Sequence, residues 1–312
     1  MALKMPFYQQ KIKMVKKKFF VFLILLFISN SVFLQEQKNE YNEKFIQLLD
    51  FDGEEAKNKI SQLINEVYPL TKEFDKSEEI TNIPFSPGEE LVFSVKYEFI
   101  KLATGIFRIS KNEKINNRET ILITSDAFTL PFYDSFYKVR DKIFSYVDAK
   151  SLISYKHIKI QREGNKKINE VVIYDYPNNK VKIFYTKYSD NESKHREEEV
   201  KIDKYVFDPF TALYYLRTKQ LEVNKVITIP VSSSEDIYDL QVRVLKREKV
   251  KVPAGEFDCF MVRPVLLKEG IFLHKGDMDV WLTADEYKIP VKMKSKIVIG
   301  SIKADLKSYK LK

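Results

Sequence analysis

The sequence predicts a mainly β protein: a large curved antiparallel sheet or open barrel with one packed helix and a short N-terminal helical arm. Three observations lead there. From Phe85 onward apolar residues recur with period 2, the spacing of a half-buried strand. The gaps between such runs are of hairpin length, and no strand–helix–strand spacing occurs, so neighbouring strands run antiparallel. One segment alone in this region carries helix-start chemistry, at Asp208-Pro209.

The elements follow in chain order. Lys4, Lys11, Lys13, Lys16, Lys17 and Lys18 lead into the apolar run Phe19–Ile28, and Ser29-Asn30-Ser31 supplies a small-x-small cleavage pattern. Residues 1–31 are therefore expected to be a signal peptide and the protein to be exported to the periplasm. The run is short of the about 20 apolar residues of a membrane span. Its continuation through Val32, Phe33 and Leu34 leaves an uncleaved membrane anchor as the alternative, and Met14 is an equally good start. Residues 32–84 read as a helical arm and linker. Ile60, Leu63, Ile64 and Val67 form one helix face, Pro69 ends it, and the stripe favours an arm packed on the main domain over a spacer.

Residues 85–312 form the β-rich domain. In "LVFSVKYEF" the residues Leu91, Phe93, Val95, Tyr97 and Phe99 share a face, and Gly105 allows a turn before "IFRIS". Strands are expected over Phe136–Val147, Leu152–Gln161, Glu170–Tyr176 and Val181–Tyr188, with "YPNNK" as the turn between the last two. "NESKHREEE" reads as a charged loop. In "DPFTALYYLRTKQL" Asp208 caps a helix whose Leu213, Leu216 and Leu221 face the sheet, with Arg217 and Lys219 outward. Strands resume at Val226–Val231, Tyr238–Val252, Phe257–Val265 and from Met278 to the end, with "VPAGEF" a hairpin turn. In the last stretch the apolar parity changes after Gly300, which requires a bulge or turn there. Pro290 requires a strand start or an edge, and Trp281 reads as a core anchor.

Composition excludes several functions. The net charge of +9 falls to +3 once the six leader lysines are removed, because no acid precedes Glu36, and the remaining charges are interspersed. Nucleic acid is not an expected partner. There are 8 glycines, with neither a P-loop nor a GxGxxG run, and no cofactor is expected. The one cysteine, Cys259, cannot form an intramolecular disulfide, and its apolar setting "EFDCFMVRP" reads as core.

Two candidate sites stand out. "SDAFTLPFYDSFYKV" concentrates Phe128, Phe132, Tyr133, Phe136 and Tyr137, which either bind an apolar ligand or pack as core. His274, Asp277 and Asp279 match a divalent metal in ligand type, although Gly276-Asp277 also suits a plain turn. No GxSxG or HExxH occurs, and adjacent acids such as Glu89-Glu90 point to opposite strand faces, so no catalytic residue is assigned.

The runs "PGEELVFSVKYEFIKLATGIF", "DPFTALYYLR", "VKVPAGEFDCFMVRP" and "KGDMDVWLTADEYKIPVKMKSKIVIGSIKADLKSY" occur in this order over about residues 85–309. In them the chain resembles a bacterial exported family known as domain of unknown function 3108. The resemblance implies a β-rich envelope protein of Gram-negative bacteria and carries no activity or catalytic residue with it. The function expected is non-catalytic binding of an apolar or amphipathic, lipid-like envelope component. The alternatives are an envelope scaffold that binds another protein and, third, a polysaccharide hydrolase.

Overall fold

In the computed structural model, residues 67–68, 79–112, 114–115, 117–188, 193–232, 237–268, 271–273, 278–297 and 300–312 are described. The expected leader and the expected helix of the arm lie outside them. The alternating runs form strands β1 (Glu90–Tyr97), β2 (Ile100–Lys111), β3 (Thr120–Thr129), β4 (Arg140–Asp148), β5 (Ser154–Glu163), β6 (Lys166–Asp175), β7 (Lys180–Tyr188) and β8 (Ser193–Lys201). After a helical interruption come β9 (Val226–Ser232), β10 (Ile237–Val252), β11 (Gly255–Lys268), β12 (Ile271–Leu273), β13 (Met278–Thr283), β14 (Pro290–Lys296) and β15 (Ser301–Lys310). Among the described residues two α-helices accompany them, the single turn α1 (Pro131–Asp134) and α2 (Pro209–Arg217).

All strands belong to one sheet, in the order β8-β7-β6-β5-β4-β3-β2-β1-β15-β14-β13-β11-β10-β9, with β12 paired to β11. The first and last strands meet at its centre, Phe93 opposite Leu306. Each half is an antiparallel meander leading outward, so the chain must cross from edge β8 to edge β9, and α2 lies on that crossing. The edges also approach each other. Phe207 N–H donates to Pro230 O (2.9 Å), Ser232 N–H donates to Phe207 O (3.0 Å), and the Tyr174 hydroxyl meets Ser232 Oγ at 2.7 Å. The result is the expected mainly β architecture, one large open antiparallel sheet.

Helix α2 lies against the main core rather than outside it. Asp208 caps it and Pro209 occupies its first turn. Phe210 meets Phe107 at 4.9 Å between ring centroids, Phe107 meets Phe93 at 5.0 Å, and Tyr214 meets Phe85 at 5.1 Å. Arg217, expected outward, has 0% of its side chain exposed. Its guanidinium donates to both Glu89 oxygens at 2.6 and 2.7 Å and to Tyr287 O at 3.1 Å, with the Phe85 and Tyr214 rings over it. The correction has a physical reason: burying an arginine is tolerable when a bidentate carboxylate is buried with it. On β5 and β6, residues of opposite parity form a second apolar layer, Ile158, Ile160, Val171 and Ile173, with Tyr68 packed on it.

Three local expectations change. Gly105 is not a turn but lies inside β2 between Phe93 and Ala127, and the β1–β2 turn falls at Glu98-Phe99. Phe99 therefore leaves the apolar face of β1 and is 88% exposed. The charged loop is edge strand β8, in which His195 contacts Thr186 and Ser193. At the C-terminal end the parity change is a hairpin turn between β14 and β15. Gly300 has φ +80° there, and an added Cβ would lie 2.7 Å from Glu98 Oε1. Pro290 starts β14, and Trp281 is buried with Nε1–H donating to Glu248 (2.8 Å).

Candidate functional site

The aromatic segment predicted from "SDAFTLPFYDSFYKV" divides between two environments. Phe128 sits half-buried on β3, and Tyr137 packs against the main core with its ring beside Gly164. Phe132, Tyr133 and Phe136 belong to the β3–β4 connection, where Pro131 starts α1. Phe132 lies 5.1 Å from the Tyr133 ring and 5.8 Å from the Phe136 ring. Yet Phe132 is 72% exposed and Phe136 58% exposed. Ring contacts in a core would have covered them; these cover only each other in part.

The neighbouring β1–β2 turn ends at the same end of the sheet. β2 and β3 are paired, with Leu130 N–H donating to Leu102 O (2.9 Å), so Phe99 and Ile100 stand beside the β3–β4 tip. Ile100 is 41% exposed. Glu98 holds this turn with φ 52°, a region that Gly or Asn ordinarily fills. Its carboxylate accepts the Ser301 N–H and hydroxyl, which hold it below the usual carboxylate range. Asp134, in the other tip, is likewise held down by Arg140. Phe99 and Ile100 were not among the predicted site residues. The signal for them was an aromatic within a two-residue turn, and the strand alternation concealed it.

Beneath this rim lies a buried acidic pair, also missed. Asp141 on β4 and Glu163 on β5 are buried, and Asp141 Oδ2 and both Glu163 oxygens have no hydrogen-bond donor of ordinary geometry. Burial raises both carboxyls, and the Glu163 charge raises Asp141 further. Nearby Lys166 is lowered to about 8 by its burial.

A third cluster has the residue types of a hydrolase triad but not its geometry. Asp208 accepts Ser145 Oγ–H (2.9 Å), Ser154 Oγ–H (2.7 Å) and the N–H groups of Phe210 (3.0 Å) and Thr211 (2.9 Å). His157 Nδ1 lies 3.2 Å from both Asp208 and Ser145 Oγ. Burial opposes the Asp208 charge, but the His157 ring and these donors outweigh it and hold the carboxyl at about 2. In a relay the two imidazole nitrogens serve the acid and the nucleophile separately. Here one nitrogen serves both and the serine donates straight to the acid, inside the core. The cluster is a helix cap tied to two strands.

Of the predicted metal trio, His274 and Asp277 lie outside the described residues. Asp279 on β13 is buried and paired with Arg263 of β11 at 2.7 Å, so its charge is already met. No group of three or more metal-ligating side chains occurs among the described residues. Cys259 is buried, and burial pushes its thiol up to about 12. No helix among the described residues is long and apolar enough to cross a membrane, which says nothing of crossing by strands.

Comparison with known proteins places the chain in a family. Three solved structures resemble the chain at low identity. One is a β-barrel-like protein of the DUF1849 domain from Brucella abortus, at 11% identity and TM-score 0.46, covering 72% of this chain and 97% of its own. Another, from Bacteroides fragilis, is described as an exported protein with a YmcC-like fold (11%, TM-score 0.28, covering 73% and 98%). The third is described as a lipoprotein, from Parabacteroides distasonis (10%, TM-score 0.28, covering 73% and 99%). At these values none bears on the function of this chain. No curated protein matches it. The family model "Protein of unknown function (DUF3108)" matches residues 92–307, from β1 through β15, and the chain belongs to that family.

Proposed function

We propose that this is an exported, non-catalytic envelope protein that binds an amphipathic, lipid-like component at the hairpin end of its sheet. The observation that carries the reading is the exposure of Phe99, Phe132 and Phe136 together on adjacent tips. Single exposed apolar residues are ordinary, but several exposed aromatics at one end of a folded domain mark a place where something apolar is met. Export rests on the basic leader with its apolar run. The reading of the serine, histidine and aspartate as a helix cap supports a binding role over hydrolysis.

A protein partner would most readily use a free sheet edge. Edge strand β8 carries Lys194, Arg196, Glu197, Glu198, Glu199 and Lys201, the charge density with which edges resist pairing with another chain. The aromatic rim is therefore favoured over edge β8 as the binding surface.

Titration with a fluorescent long-chain fatty acid, kept monomeric, tests the proposal. Saturable binding is expected, and Phe132→Asp/Phe136→Asp should weaken it by about tenfold or more, since each ring contributes up to a full side-chain burial. No saturable binding, or equal binding by a folded double variant, would refute it.

A further inference from the structure

We infer that the two hairpin tips dock this protein onto the surface of a bilayer containing anionic lipid. The inference rests on the proposed lipid-like binding and names the form in which the lipid is met: an assembled surface, not one extracted molecule.

The geometry is that of an interfacial anchor. Phe99, Ile100, Phe132 and Phe136 project from neighbouring turns at one end of the sheet. Turns are the part of a β protein that can enter the headgroup region without exposing unpaired strand edges to lipid. The β1–β2 turn presents a phenylalanine where two-residue hairpins ordinarily place Gly, Asn or Asp, and its glutamate adopts φ 52°. Folding alone gives little reason for that choice, because Phe99 is 88% exposed.

Charge then selects the occupant. The acids of the two tips are already neutralised, Asp134 by Arg140 and Glu98 by Lys303 at 3.7 Å together with its Ser301 donors. Lys101 and Lys138 are both exposed, and although Lys138 also acts on Asp134, the two tips carry more cations than acids. Aromatic side chains flanked by a net excess of lysines suit an anionic lipid surface, which attracts each cation and accepts each ring. An apolar protein surface would leave the lysines facing no counter-charge.

The test uses the full chain carrying Ser135→Cys, an exposed position beside the rings, labelled with an environment-sensitive fluorophore. Cys259 is buried and stays unlabelled. Lys249→Cys, on β10 away from the tips, serves as the control position. On adding phosphatidylglycerol-containing vesicles, the label at 135 is expected to shift to shorter wavelength and be quenched by a lipid-resident quencher, while the label at 249 does neither. Phe99→Asp should lower the partition read by label 135 about tenfold. Lys101→Glu/Lys138→Glu should lower it about fivefold per lysine on anionic vesicles and leave uncharged phosphatidylcholine vesicles unaffected. A silent label at 135 overturns the inference, as does an equal response at 135 and 249, which would report adsorption through the leader. Fatty-acid binding without any vesicle response would remove this inference and leave the proposed function standing.

Discussion

Replacing Arg217 by methionine removes one half of a charge pair that has almost no contact with water. Glu89 is 2% exposed, and its two oxygens accept the Arg217 donors at 2.6 and 2.7 Å. Methionine fills much of the arginine volume, so the loss is chiefly electrostatic: a buried carboxylate without its partner and a Tyr287 carbonyl without its donor. Breaking one side of such a pair costs about 3–5 kcal/mol. In a domain of this size each kcal/mol corresponds to about 2–4 °C, so the melting temperature should fall by about 6–20 °C. The single variants Arg217→Met and Glu89→Leu, their combination and the wild type form a cycle to be measured by denaturant unfolding. The combination should recover most of the loss, because it removes both charges and their desolvation together. A single-variant loss below about 1 kcal/mol, or effects that simply add in the combination, would refute the argument that this pair anchors α2 to the sheet.

Two further outcomes follow from buried ionisable groups. Asp141 and Glu163 have raised carboxyls in the folded state, so their stabilising effect is complete below the ordinary carboxyl range and is lost as pH rises from there through their folded values. Glu163→Gln, whose amide can donate to Asp141, should therefore stabilise the protein by about 1–3 kcal/mol at pH 8 and by little near pH 4. Melts across that range check it, and a difference independent of pH would count against the raised carboxyls. The Cys259 thiol, buried and pushed up to about 12, should stay unmodified by a disulfide reagent at pH 8 and react once in denaturant. Rapid stoichiometric reaction of the folded protein would contradict its placement in the core.

Where side-chain alternation is strong, strands were legible: β7, β9 and β10 begin and end within a residue or so of the predicted runs. The α2 start was legible because Asp208 and Pro209 act locally, through the first amides of the helix. Features set by distant chain were not. Arg217 lies on what looks like a polar stripe, and only Glu89, 128 residues away, makes its burial tolerable. The meeting of β1 with β15 leaves no local mark on either strand. β8 has polar side chains on both faces, so its sequence lacks the period that identifies a strand. In the candidate site, the aromatic density of residues 128–137 was visible, but not which rings would be covered. The two-residue turn at Glu98-Phe99, which shortens β1 and leaves Phe99 exposed, was hidden in the same way. Asp141 and Glu163 lie far apart in sequence and meet only because β4 and β5 pair.

The central claim is that the aromatic rim binds lipid in the cell envelope. Its most direct measurement is mass spectrometry of organic extracts from the protein isolated without detergent from cells, wild type beside Phe132→Asp/Phe136→Asp. The wild type should carry a defined lipid species in reproducible stoichiometry, and the folded variant should have lost it. Wild-type protein free of lipid, or a variant that retains the same species in the same amount, would contradict the account.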